Sequence, residues 1–187
     1  MVDQITVEAA RRGDRDAQSV LLRELQDPWF RFCMSLLGNV DDARDAVQET
    51  ALRFLRDLHR FRGNSSITTW SMGIAINVTR EIRRKRSRTM LRLSSAEFDS
   101  DEPAPDAPIE SKADSPDDLA ALRESSGMLR SLLQELPQRQ REAVLLRYFH
   151  EMSVEETAAA MNCAVGTVKA TVHQALRALR TKMEELS

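Results

Sequence analysis

Between Val165 and Leu179 the apolar residues Val165, Val168, Val172, Ala175 and Leu179 recur at intervals of three and four, the spacing of one buried helix face. That phasing turns Thr167, Lys169, Ala170, Thr171, His173, Gln174 and Arg177 outward. Lysine and arginine meet phosphate or guanine, and glutamine can read adenine, so the chemistry on offer is recognition of a DNA major groove. A plain antiparallel helix pair with a solvated polar face is the competing reading.

A second constellation lies upstream. Arg80, Arg83, Arg84, Lys85, Arg86 and Arg88 follow one another on almost every side of a helix. A segment cationic all round has no buried face to account for it, which favours phosphate contact. A solvated helix end, or a patch for acidic lipid, is the alternative. No nucleophile–base pair and no phosphate-cradling glycine loop accompanies these residues, so the chain does not read as an enzyme. Cys33 and Cys163 stand apart, outside any CxxC pair, and His59, His150 and His173 are scattered. Neither a metal nor another cofactor is expected, and the thiols read as buried and reduced.

The elements that must position these groups are helical. Only 5% of the 187 residues are aromatic, while Ala, Leu, Arg and Glu abound, a composition that favours helices over sheets. A first short helix is interrupted at Gly13-Asp14, Gly38-Asn39 ends the apolar run WFRFCMSLL, and Pro28, within a segment that otherwise reads as helix, predicts a kink or break. Asp41 or Asp42 can cap the next helix, DARDAVQETALRFLRDLHRF. It carries Ala43, Ala46, Val47, Thr50, Phe54, Leu55 and Leu58 on one face, and Asp45, Gln48, Glu49, Arg53 and Arg56 on the other. A polar break, RGNSSITT, precedes the helix WSMGIAINVTREIRRKRSR.

Downstream, LAALRESSGMLRSLLQEL reads as an amphipathic helix and Pro137 suits the start of another. Ser153 and Glu156 have capping-box spacing. VEETAAAM then forms a helix of about eight residues, Asn162-Cys163-Ala164 a turn, and a second helix follows from about Val165. That is a helix-turn-helix, with Asn162 suited to the left-handed conformation of its turn.

Charge divides the chain. Residues 1–93 carry a net +5, residues 94–118 a net −8 and residues 119–187 a net +1. The middle stretch holds four of the six prolines and too little apolar surface to order itself, so it reads as a flexible acidic linker. The expectation is an all-α protein of two small helical domains, 1–93 and 119–187, joined by the tether 94–118. Extended, the tether spans about 80–90 Å, enough to join domains two DNA turns apart. No run suits a membrane span and no signal-peptide core opens the chain, so a cytoplasmic protein without direct membrane insertion is expected.

Three motifs, in order, carry a resemblance: DARDAVQETALRFL, then FRGNSSITTW with IAINVTREIRRKR, then LPQRQREAVLLRYFHEMSVEETAAAMNCAVGTVK. The chain resembles the extracytoplasmic-function (ECF) sigma factors of the sigma-70 family over roughly residues 5–93 and 119–183. The resemblance implies a region 2 bundle and a region 4 helix-turn-helix. It further implies a transcription initiation factor that binds core RNA polymerase, at the β′ clamp helices and β flap, and promoter DNA. An anti-sigma factor as controlling partner is implied too. Carried over by motif, Asp45, Gln48, Glu49 and Arg53 would face the polymerase. Asn64, Ser65, Ser66, Trp70, Asn77, Arg80, Arg83 and Arg84 would serve the −10 element, with Trp70 equally readable as a core residue. Thr167, Lys169, Thr171, His173, Gln174 and Arg177 would serve the −35 element.

The chain departs from the family pattern at Ser71, Met72 and Gly73, where bulkier residues and an Arg are common, and at Ala170, Thr171 and Gln174. The acidic linker is expected to favour the polymerase's RNA path and to repress DNA binding by the free protein. A stand-alone helix-turn-helix regulator, or an interaction protein that binds through helical faces without DNA, would be the other functions to weigh.

Overall fold

The computed structural model describes residues 3–94 and 131–185, and among these all regular structure is helical. The acidic stretch 95–118 and the start of the helix expected after it lie outside the described residues. The N-terminal unit comprises α1 (Gln4–Arg11), α2 (Arg15–Leu37), α3 (Val40–Asp57), a short 3₁₀ turn (Leu58–Arg60) and α4 (Ile67–Ser94). The C-terminal unit comprises a helical segment at 131–134, α5 (Gln138–Val144), a π turn (Leu145–Phe149), α6 (Val154–Met161) and α7 (Val165–Glu185).

Helix ends follow local chemistry, with two corrections. Asp14 caps α2 by accepting from the Ala17 N–H, and Gly38 closes it in the left-handed conformation at φ 69°. Asn39, rather than Asp41 or Asp42, caps α3: its side chain accepts from both Asp41 and Asp42 N–H groups. The two aspartates instead occupy the first turn, where their charge suits the helix dipole. Helix α2 also runs unbroken through Pro28. Its flanks explain this, because Leu21, Leu25, Trp29, Phe32 and Leu36 are all buried and packing holds the helix together across the missing N–H.

An aromatic cluster sits within the largely aliphatic core of the N-terminal unit. Trp29 is fully buried, edge-on to Phe54 with ring centres 5.5 Å apart. Its indole N–H donates to the Ser71 hydroxyl at 3.1 Å, satisfying a polar group that would otherwise be costly inside. Phe54 and Phe61 in turn flank Trp70, at 5.6 Å and 5.3 Å. The departures at 71 and 72 therefore have structural reasons: Ser71 receives the indole, and Met72 is fully buried.

The two units share one hydrophobic core. Leu132, Leu133, Leu136, Met152, Ala160 and Met161 join the cluster that contains Phe32, Leu36 and Ile76. The principal seam runs between α4 and α6. There Gly73 faces Ala160 so closely that a β-carbon on residue 73 would stand 3.2 Å from the Ala160 carbonyl oxygen. Around it, the Arg80 guanidinium donates to the Glu142 carboxylate (Nε–Oε1 3.0 Å, Nη2–Oε2 2.5 Å). Gln134 Nε2 donates to the Ser35 carbonyl at 2.9 Å, and the Thr69 hydroxyl to Glu156 Oε1 at 3.4 Å.

Candidate nucleic-acid interface

The helix-turn-helix is built as its residues require. Ser153 and Glu156 form a complete capping box at the start of α6: Glu156 N–H donates to Ser153 Oγ at 3.0 Å, and Ser153 N–H to Glu156 Oε2 at 2.9 Å. These bonds, led by that from the Ser153 backbone, hold the Glu156 carboxyl below its ordinary range. Asn162 closes α6 in the left-handed conformation (φ 51°, ψ 57°) and turns the chain into α7. Ala160 and Met161, at the end of α6, are buried.

On α7 the buried stripe is Val168, Ala175 and Leu179, with Val172 half-buried against the core. Thr167, Lys169, His173, Gln174 and Arg177 are exposed and Thr171 is half-exposed. The solvent side of one helix thus presents cations, hydroxyls, an amide and an imidazole. A face of this length and chemistry matches what a major groove offers.

Helix α4 differs from its expectation. The cationic segment does have a buried face: Arg83 is 8% exposed, lying against the carbonyl of Leu36. Arg80 is held by fully buried Glu142, and Arg86 pairs with Asp42 at 2.6 Å. Helices α2 and α3 and the C-terminal unit supply the acceptors for these three arginines, while Glu81, within the segment, pairs with Arg53 instead. Asn77, Arg84, Lys85 and Arg88 remain exposed. The structure therefore brings Asn77 and Arg84 to the surface together, and turns Arg80 and Arg83 inward.

The loop ahead of α4 is divided in the same way. Asn64 is exposed, and Gly63 holds a left-handed turn at φ 74°. Ser66 is spent locally: its hydroxyl accepts the Thr69 N–H at 3.0 Å and pairs with the Thr69 hydroxyl at 2.8 Å. Ser65 is half-exposed, and Trp70 shows only part of its ring between Phe54 and Phe61.

On the outer face of α3, Asp45 and Gln48 are solvent-facing. Glu49 and Arg53 are linked: Arg53 Nε donates to Glu49 at 2.7 Å, and its other nitrogens grip Glu81 of α4 with two bonds of 2.7 Å. Beside Gln48 a shallow groove of about 300 Å³ runs between α2 and α3, edged by Leu22, Gln26, Phe30 and Val47. Cys33 is buried and its thiol is pushed up to about 12 by desolvation, which makes it inert. Cys163 is half-buried against the core.

Three further residues are central to this arrangement without standing out as site residues in the sequence. Glu81 fixes Arg53, Glu142 fixes Arg80, and Gly73 sets the distance between α4 and α6. Glu142 carries a detectable signal, since it precedes Leu145 and Leu146 by three and four residues and so falls on the apolar face of its helix.

The same two helical units recur in known proteins. The Sigma-70 region 2 family matches residues 21–89, and the Sigma-70, region 4 family matches residues 126–179. The chain is 30% identical over 182 residues to the ECF RNA polymerase sigma factor SigW of Bacillus subtilis, spanning 96% of each protein. It is 28% identical over 191 residues to the ECF RNA polymerase sigma-E factor of Escherichia coli, covering 100% of this chain and 96% of that one. Among solved structures, the sigma factor RpoE in complex with the anti-sigma factor NepR from Bartonella quintana matches at 26% identity and a TM-score of 0.66, over 89% of this chain and 96% of that one. The fold is also that of CnrH, solved with the cytosolic domain of CnrY, at 20% identity, a TM-score of 0.71 and 99% coverage of both chains. By its two helical units, its helix-turn-helix and these full-length relatives, the chain belongs to the ECF RNA polymerase sigma factors of the sigma-70 family.

Proposed function

We propose that the chain is a non-catalytic subunit that directs core RNA polymerase to promoters and is itself held in check by an anti-sigma factor. The observation that carries this reading is the exposed face from Thr167 to Arg177 on α7, backed by the buried stripe of Val168, Ala175 and Leu179. In this reading α7 enters the major groove at the −35 element. Lys169 and Arg177 neutralise phosphates or meet guanine, while Gln174 and Thr171 supply the amide and hydroxyl.

At the −10 element the loop at 63–66 and the exposed face of α4 receive the opened strand. Extruding a base from the stack costs a few kcal/mol, which contacts to its edge and backbone must offset. Asn64 and Ser65 are accessible for the base edge, and Asn77 and Arg84 for the strand. Trp70 keeps a partly exposed ring at the same end of α4, so it can both fill the core and border the strand. The polymerase docks on the outer face of α3, at Asp45 and Gln48, beside the apolar groove between α2 and α3. Glu49 and Arg53 shape that face through their link to Glu81. The domains are taken as 1–93 and 119–187, joined by residues 94–118.

Support for the anti-sigma partner comes from the solved relative RpoE, captured with the anti-sigma factor NepR bound. No described helix is long and apolar enough to cross a membrane, and we place the protein with its polymerase in the cytoplasm. The test is gel filtration of the chain with core RNA polymerase. Co-elution is expected, and it should be weakened by replacing Asp45 and Gln48 with Arg and Ala. Separate elution at micromolar concentrations would refute the reading.

A further inference from the structure

Thr69, Gly73 and Arg80 lie on one face of α4, at spacings of four and seven residues, and all three meet the C-terminal unit. Thr69 reaches Glu156, Gly73 lies against the Ala160 backbone, and Arg80 holds Glu142. Beside this docking stripe runs a second row, Asn77, Arg84 and Arg88, which is exposed. Arg80 lies between Asn77 and Arg84, three residues after one and four before the other. It belongs by position to the exposed cationic row and by contact to the seam.

Glu142 is fully buried and accepts from three nitrogens: Nε and Nη2 of Arg80, and Nε2 of Gln138 at 2.9 Å. A guanidinium presents the same planar fork to a carboxylate and to a phosphate. With its Nε–Nη2 edge on Glu142 and its side chain only 17% exposed, Arg80 cannot present that edge to a phosphate while the units stay closed. Release requires α4 to part from the C-terminal unit. The neighbouring contact of Gly73 with Ala160 of α6 holds them together, and no side chain could enter there without moving backbone.

We infer that Arg80 is a shared group: the closed chain holds it on Glu142, and a DNA strand phosphate takes the same fork only after the two units separate. Closure and this strand contact therefore exclude each other, and Glu142 acts as an internal substitute for phosphate. The inference rests on the promoter-binding reading of α4 given above. It assigns Gly73 a role as well, that of allowing the closed state to form.

The test uses the full-length chain, measuring compactness by small-angle X-ray scattering and binding to a fluorescein-labelled single strand of roughly 12 nucleotides by anisotropy over a salt series. Glu142→Gln removes the charge that holds Arg80. Gly73→Leu leaves both partners intact and forces the helices apart. Both variants should expand. Both should also bind the strand with a log K versus log salt slope steeper by about 0.7 than that of the wild type, the increment for one added phosphate contact. Arg80→Ala should expand without that gain. The double exchange R80E/E142R should restore the compactness that either single exchange removes.

Melting followed by circular dichroism identifies any variant that unfolds, and Gly73→Leu and Glu142→Gln reach the same state by independent routes. Expansion of both with the wild-type salt slope would overturn the inference, and so would a steeper slope in a variant that stays compact. A pair of variants as compact as the wild type, with its slope, would overturn it equally. Promoter-directed initiation by the wild-type chain with core polymerase is measured alongside. Initiation without any gain in the variants defeats the sharing of Arg80 alone, whereas absence of initiation defeats the functional reading beneath it.

Discussion

The imidazole of His150 meets Phe32 edge to face, 5.8 Å between ring centres at an interplanar angle of 68°. This contact joins the end of the π turn to α2 across the seam between the units. Desolvation, aided by the charge of Arg31, lowers the pKa of His150 from 6.5 to about 4. The folded chain thus holds the ring neutral, while the unfolded chain protonates it near pH 6.5. Between pH 6.5 and about 4 the unfolded state binds more protons, so stability is complete above that window and declines as pH falls through it. The slope from this group is at most about 1.4 kcal/mol per pH unit. Thermal melts from about pH 7.5 down to about 5 should show a falling Tm, and His150→Phe should flatten that dependence. An unchanged profile in the variant would remove His150 from the account.

Arg53 should be worth more to the packing of α3 on α4 than to any external partner. It is 25% exposed at the side chain and bonded to both Glu49 and Glu81. A double-mutant cycle of Arg53→Met with Glu81→Gln should give a coupling of roughly 1 kcal/mol, at the upper end for a partly exposed pair and reduced by salt. Urea melts at low and high ionic strength would measure it. A coupling near zero in low salt would show that the two bonds contribute nothing to stability.

Asn162 holds a left-handed conformation that costs an ordinary side chain about 1–2 kcal/mol. Asn162→Ala should destabilise the helix-turn-helix by about 1 kcal/mol and lower the Tm by a few degrees, while Asn162→Gly should be nearly neutral. Equal destabilisation in both variants would mean that the amide side chain, rather than the backbone conformation, is what matters there.

The two faces of α7 should separate cleanly in experiment. Lys169→Ala or Arg177→Ala should leave the melting temperature unchanged and flatten the salt dependence of promoter duplex binding, by about 0.9 for each phosphate that is no longer neutralised. Val168 is 1% exposed, and Val168→Ala should instead cost stability by removing buried methyl groups. Binding measured at several salt concentrations, with melts of the same samples, would distinguish them.

Legibility in the sequence follows the range of the interactions involved. The α7 stripe, the capping box at Ser153 and the left-handed Asn162 depend on neighbours within four residues, and each is readable from spacing alone. The inward turn of Arg80 and Arg83 is not, because Glu142 and the Leu36 carbonyl lie 62 and 47 residues away in the chain. Gly73 reads as a plain weakening of its helix until Ala160 is placed against it. Asn39 outcompetes Asp41 and Asp42 because Gly38 ends α2 one residue earlier, so the cap position falls at 39. Pro28 is tolerated because apolar residues on either side of it are buried on a common face, and spacing alone gives that burial no weight.

The most direct measurement of the central claim is promoter-directed transcription with purified chain and core RNA polymerase, against each alone. Start-site mapping across genomic templates would show which DNA is selected. Specific initiation is expected only in the mixture, and it should be strongly reduced when Lys169 and Arg177 are both replaced by Ala. Specific binding of duplex DNA by the chain alone, with no initiation and no association with core, would contradict it.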